Sequence, residues 1–477
     1  MRPSEPNDLN MQQRTWTRPA RVALILIPLA ACANPTHAPL DLTSSEVAWL
    51  ERGDARTLEH ALELADVGTT SLPMPDASER QDPRHDAYWD ACAMAWNPDV
   101  RVARNELLAL REERRSAGAP LPTTVRIVDH EFGGDSDLVE AVVAFDLIGL
   151  LGLGPSGAAA ELADVRVVRA LAQYEEQLWT SRLDIERARV RLAAAQARVV
   201  GIDALHAEAE RELVRIGILE RNGRESAADA EAARGRIEAL ARQHSERSEA
   251  VALAERDLAR LAGLPPQHEV LALSQNDWLG RYLERNVPSI ADGARRVDTH
   301  PRLRRARIDF ALAEAQIRDV AASAWPGIQL GPHLSFNSTT NIGGMLGLSL
   351  PWPSSWKGRL AAAEARREGA REAFEDAWLD LELSDQLALR RLELARDRSH
   401  GATRAVDEAT RHAWESARAR YRLQRLPLME WSDALTGRAS AVLQPIDDLE
   451  SIALAWIDVL DARGPAALEF EAVEVTL

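Results

Sequence analysis

Gly152-Leu153-Gly154-Pro155-Ser156-Gly157 has the spacing of a dinucleotide-binding turn, in which glycines let backbone amides approach a pyrophosphate. That chemistry needs a short helix returning to a parallel strand that carries an acid about 20 residues on. Here a helical pattern runs on from Ala158 to about Leu219 instead, so the glycines serve a strand-to-helix bend. Metal chemistry is no better supported. His85 beside Asp86, and His130 between Asp129 and Glu131, are contiguous, and adjacent residues of a strand point to opposite faces. No His-Glu-x-x-His, paired-cysteine motif or nucleophile elbow occurs. The sequence predicts no catalytic residue, no metal site and no cofactor.

One residue does carry covalent chemistry. Cys32 closes Leu29-Ala30-Ala31-Cys32, behind an apolar run from Val22 to Ala31 and a lead bearing Arg14, Arg18 and Arg21. The run is about half the length of a membrane-spanning helix and contains Pro28, so it reads as a cleaved secretory signal, residues 1–31. The segment resembles the signals of bacterial lipoproteins, and that resemblance implies acylation of Cys32. Ala33, where an aspartate would retain the protein at the inner membrane, implies a lipid-anchored outer-membrane protein of a Gram-negative cell. An ordinary secretory signal with an incidental cysteine is the alternative.

Loss of residues 1–31 takes four arginines and two acids and moves the formal charge from -17 to -19. Such a chain has the wrong sign for duplex nucleic acid. Once Cys32 is acylated, Cys92 is the remaining thiol, so no disulfide can form within the chain, and its helical surroundings mark it as a packing residue.

The elements repeat. Asn97-Pro98 recurs as His300-Pro301, and Ala158-Ala159-Ala160-Glu161 as Ala361-Ala362-Ala363-Glu364, while Gly263 matches Gly464. Each half reads as a helix (Val100 to Gly118; Leu303 to Ser323), two strands, a very long helix (Ala158 to about Leu219; Ala361 to about Arg420) and a return helix. In the second long helix Phe374, Trp378, Leu381, Ala388, Leu392 and Ala395 follow a heptad seam broken by Asp385. The expected divisions are 32–85, an acylated extended arm; 86–266, the first repeat, with strands 123–132 and 138–148; 267–290, a linker; 291–464, the second repeat, with strands 327–337 and 345–350; and 465–477, a tail.

The strands alternate. Ile328, Leu330, Leu334 and Phe336, then Leu346, Leu348 and Leu350, make an apolar row, as do Val139, Val143 and Phe145 in the first half. Trp325, Trp352 and Trp356 flank the second pair as an interfacial aromatic belt would. Segments of this length and pattern suit bilayer-crossing strands, and this apolar face would contact outer-membrane lipid. Four strands cannot close a barrel, and open edges in lipid are costly, so the strands must be shared among subunits; three chains would supply twelve. A small soluble sheet packed on helices is the other reading.

The chain resembles the outer membrane efflux protein family, the TolC-type channels, over residues 86 to 464. The resemblance is carried by the stretch from Arg420-Tyr421 through Leu428-Met429-Glu430-Trp431-Ser432-Asp433-Ala434, by Leu261-Ala262-Gly263-Leu264-Pro265-Pro266 and by Asn97-Pro98. Gln424 departs from the family's glycine, and the first half keeps Gly223 but lacks Arg-Tyr. The implied fold is mainly α with inserted β: tandem long coiled-coil helices with β-hairpins, forming a homotrimeric twelve-stranded β-barrel continued by a periplasmic α-helical barrel. The implied role is the passive exit duct of a tripartite efflux or type I secretion system, with a periplasmic adaptor and an inner-membrane transporter as partners.

The turns after the long helices would then be the periplasmic tip. Glu430 and Asp433, three apart on one helix face, with Asp229 in the first half, are candidates for acidic rings gating the pore. Pairing with Arg224 or Arg425 on the outer surface is the alternative. A periplasmic adaptor or structural coiled-coil lipoprotein is the rival function, although an adaptor carries one helical hairpin flanked by a split β domain.

Overall fold

The computed structural model describes residues 41–66, 79–117, 122–130, 138–146, 154–272, 276–287, 293–336, 340–349, 353–401, 403–423 and 427–466. Cys32 lies outside them. The chain divides into Met1–Trp49 and Leu50–Leu477. Helix α1 (Leu42–Leu50), which lies in the first unit up to Trp49, follows Asp41, whose Oδ1 accepts from the amides of Thr43 at 3.0 Å and Ser44 at 3.3 Å.

The second unit carries the repeat. Helices α2 (Ala55–Ala65) and α3 (Asp86–Trp96) lead into α4 (Pro98–Ser116), strands β1 (Pro122–His130) and β2 (Leu138–Asp146), α5 (Gly154–Arg221) and α6 (Ala227–Ala262). After α7 (Gly293–Thr299) the plan recurs as α8 (Pro301–Ala322), β3 (Gly327–Phe336), β4 (Thr340–Ser349), α9 (Pro353–Gly401), α10 (Thr403–Arg422) and α11 (Leu428–Arg463). At 68 residues α5 extends about 100 Å. It opens at Gly154, where φ is +62°, so that glycine belongs to the strand-to-helix bend.

Helix α5 buries two stripes. Ala170, Tyr174, Leu178, Ile185, Ala188 and Leu192 pack with α2, α3, α4 and α6, whereas Trp179, Leu183, Val190, Ala193 and Ala194 pack with α9 and α11 of the other half. Small side chains make the second contact close; a Cβ at Gly201 would lie 2.8 Å from Val442 Cγ1.

Each repeat closes on its own beginning. Asn97 caps α4 by accepting from the amides of Asp99 at 2.9 Å and Val100 at 3.2 Å, and its Nδ2 donates to Leu261 O at 2.7 Å. Gly263, at φ +70°, ends α6 so close that an added Cβ would stand 2.4 Å from Trp96 O. The second half repeats the device: His300 Nε2 bonds Asp461 O at 2.9 Å, and a Cβ on Gly464 would lie 2.8 Å from His300 Cδ2. The heptad break at Asp385 belongs to this closure. Its carboxylate is buried and receives Arg463 through Nε at 2.6 Å and Nη2 at 3.2 Å.

Three readings need correction. The arm expected to be extended holds two helices: its prolines lie outside α1 and α2, Leu58, Leu62 and Ala65 of α2 are buried, and the two leucines share a cluster with residues of α3 and α6. The linker is part of the core. Trp278 is stacked between the guanidinium groups of Arg189 and Arg281, at 3.3 and 3.4 Å, and Tyr282 donates to Glu186. Burial raises the pKa of both Glu186 and Tyr282. The fourth strand begins at Thr340 rather than 345, because pairing with β3 carries it through Gly343 and Gly344, where the sequence shows no alternation.

Candidate functional site

The two hairpins form one antiparallel sheet, ordered β1-β2-β3-β4. The join between repeats is the β2–β3 pair, with Val139 opposite Phe336, Ala141 opposite Leu334 and Phe145 opposite Leu330. Continuing across β3–β4, Leu330 faces Leu346, Ile328 faces Leu348 and Leu334 faces Ile342. On the β1 side Val125 pairs with Val143 and Ile127 with Ala141. Because side chains alternate along each strand, these rows share one face. Ile342 is 78% exposed, Leu346 76%, Leu348 66% and Leu330 50%. Ile342 was missed in the sequence because it stands between Asn341 and the glycine pair. The opposite face carries Gln329, Gly331, His333 and Ser335, in register with Gly347, Met345, Gly343 and Asn341.

Among the described residues, β1 and β4 each have one neighbour, so both outer edges of the sheet are open. Trp325 stands 54% exposed two residues before β3, and Trp356 is half-buried in the opening turns of α9. Leu350 and Trp352 lie outside the described residues. No described helix is long and apolar enough to cross a membrane.

At the far end of the helices, α5 turns into α6 through Gly223, at φ +66°, with Arg224 N donating to Leu219 O at 2.9 Å. Ser226 caps α6 by accepting from Asp229 N at 3.0 Å, while its hydroxyl donates to Asp229 Oδ2 at 2.7 Å. Tyr421 stacks on Trp431 at 5.2 Å and Trp414 lies 6.0 Å from the same ring, in a core shared with Ile216, Ala233 and Ile237. Burial pushes the Tyr421 hydroxyl up to about 12.

The structure places Glu430 and Asp433 on the exposed side of α11 and brings Asp433 to Arg236 of α6, 2.7 Å away. Arg236 also donates to Ser432 Oγ at 2.7 Å, fastening the two return helices together. The cation beside Asp433 is thus Arg236 rather than Arg224, and Arg425 lies outside the described residues. Asp229 is engaged in its own helix cap. Arg236 was not legible, since only the approach of α6 to α11 brings it there.

Cys92 is fully buried and its thiol pKa is raised, chiefly by burial. No cluster of three or more metal-ligating side chains occurs among the described residues.

No family profile matches the chain, and no curated protein matches it in sequence. Solved structures do match. The outer-membrane channel OprN superposes with a TM-score of 0.66 at 18% identity, covering 91% of this chain and 97% of that one. The outer membrane protein VceC of Vibrio cholerae gives 0.63 at 16% identity, covering 81% and 98%. The open-state MtrE outer membrane channel of Neisseria gonorrhoeae gives 0.65 at 18% identity, covering 81% and 90%. The resemblance read from the sequence therefore extends to three dimensions, and the chain has the mainly helical, sheet-bearing fold of these outer-membrane channels.

Proposed function

We propose that three copies of this chain assemble as an outer-membrane exit duct, a passive conduit for substrates delivered by an inner-membrane transporter through a periplasmic adaptor. The observation that carries the reading is the sheet. Its two edges are open and its exposed face is apolar over Leu330, Ile342, Leu346 and Leu348, a surface costly in water. Lipid would accept the apolar face, but only if every backbone group is paired, which joins β4 of one copy to β1 of the next. Three such joins close twelve strands, and the helices continue as a tunnel into the periplasm. The fold shared with OprN and MtrE supports this arrangement. Acylated Cys32 would anchor each copy in the same membrane.

At the tunnel's end, Glu430 and Asp433 would form acidic rings, with Asp229 nearby. Asp433 is held by Arg236, so opening would exchange that pair for the lumen. Conductance of the purified assembly in planar bilayers tests both levels. The duct should conduct, and replacing Glu430 and Asp433 by Asn or Gln should reduce cation preference; unchanged selectivity would remove the gate, and absence of any conductance the duct. Fractionation with acyl labelling tests the anchor, since Cys32→Ala should lose label and leave the membrane more readily.

A further inference from the structure

The two hairpins are charged differently. Between Gly118 and Gly157 the first carries Asp129, Glu131, Asp135, Asp137, Glu140 and Asp146. From Val320 to Ala363 the second carries no acid, in a chain where 74 of 477 residues are Asp or Glu. The basic side chains in that acid-free span are Lys357 and Arg359, and Lys357 is the chain's sole lysine.

The fold gathers these residues at one place. Gly327 pairs with Ser349, so the start of β3 and the end of β4 lie together at the foot of the hairpin, where the sheet passes into α8 and α9. Lys357 and Arg359 are exposed there, near Trp356 in sequence, and Arg359 Nη2 donates to Ser323 Oγ at 3.2 Å, tying it to the end of α8 two residues before exposed Trp325. Acids on the opening turns of α5 are committed elsewhere, Glu161 to Arg318 at 2.9 Å and Asp164 to Arg114.

We propose that this foot binds the anionic headgroups of phospholipids in the periplasmic leaflet, with Lys357 and Arg359 meeting phosphate and Trp325 and Trp356 lying at the headgroup level. The proposal rests on reading the sheet as membrane-crossing. The pieces fit one partner. Tryptophan is favoured at the boundary between acyl chains and water, long basic side chains reach from that boundary to phosphate, and the second hairpin brings no acid of its own to repel an anionic lipid, the neighbouring acid being Asp146 of β2, in register with Gln329. A strongly acidic protein thus presents a local cationic contact where an anionic membrane surface would touch it.

The full-length lipoprotein, reconstituted into phosphatidylcholine vesicles with and without phosphatidylglycerol, tests the proposal. Native mass spectrometry of the released assembly should show phosphatidylglycerol retained over phosphatidylcholine. Lys357→Gln with Arg359→Gln should weaken that preference by about fivefold for each charge removed, and added salt should weaken it in the wild type. Arg101→Gln with Arg420→Gln, exposed charges elsewhere, should leave it unchanged. Lys357 also reports directly: an amine-reactive probe should modify it more slowly in phosphatidylglycerol vesicles than in phosphatidylcholine. Equal retention by the wild type and the foot variant, or equal loss in the control variant, would overturn the headgroup site while leaving the membrane sheet intact. A wild-type protein that enters neither vesicle would overturn the membrane reading, and the site with it.

Discussion

The two repeats close in the same place with different chemistry. In the first, the residue before the closing glycine is Ala262, fully buried, and the capping side chain is an amide, Asn97. In the second the same places hold Arg463, paired with buried Asp385, and His300, whose imidazole bonds the Asp461 carbonyl and does not cap α8. The glycine is retained in both, because each return helix must pass within contact distance of the residue that opened its repeat. Geometry is thus common to the halves, whereas the groups that satisfy it are exchangeable. The exchange has consequences: an apolar seam responds to volume, a charged one to the loss of a partner and to pH.

The largest expected effect is on the charged seam. Asp385→Ala leaves Arg463 buried without its carboxylate and should cost about 3–5 kcal/mol, seen as a lowered denaturation midpoint of the purified assembly. Asp385→Leu with Arg463→Leu should recover most of that loss. If the double variant is as weak as the single, the pair does more than compensate itself.

On the apolar seam, Gly263→Ala would force a methyl group against the Trp96 carbonyl at a left-handed backbone position, costing about 3 kcal/mol by the same measurement. A neutral result would mean that α6 can swing away from α3, and that the two closures are not equally tight.

The smallest effect separates Asn97 from His300. Burial, ahead of the Asp461 carbonyl bond that opposes it, holds the His300 pKa below 6.5. As pH falls below 6.5 the unfolded chain takes up a proton that the folded ring resists, so stability declines from there down to the lower folded pKa and then levels off. His300→Asn, copying the first repeat, should flatten that part of the pH dependence, measured as the midpoint difference between variant and wild type. An unchanged slope would assign the dependence to other groups.

The sequence made the doubled plan legible because helix and strand periods are local, and the repeated Asn97-Pro98 and His300-Pro301 pairs stand at the first residues of α4 and α8. It also marked Asp385 as an interruption without revealing its partner, since Arg463 lies 78 positions away and meets it only after α9 and α11 pack. The same limit applies at Trp278: nothing local says that a linker tryptophan will be clasped by two arginines, one of them on α5. Of the candidate site, alternation marked Leu330, Leu346 and Leu348, which stand exposed, but gave no sign of the β2–β3 join that makes one sheet of two hairpins, because pairing across a helical repeat leaves no signature in either strand.

The alternating directions of the four strands have a genetic corollary. Strands β1 and β4 run oppositely, so a β1 edge can follow a β4 edge from copy to copy without breaking the antiparallel order. A tube built this way is as good as its worst member. In the proposed trimer, if half the chains in a cell carried a damaged second hairpin, only about one assembly in eight would be free of them by random mixing, and the defect would behave as dominant.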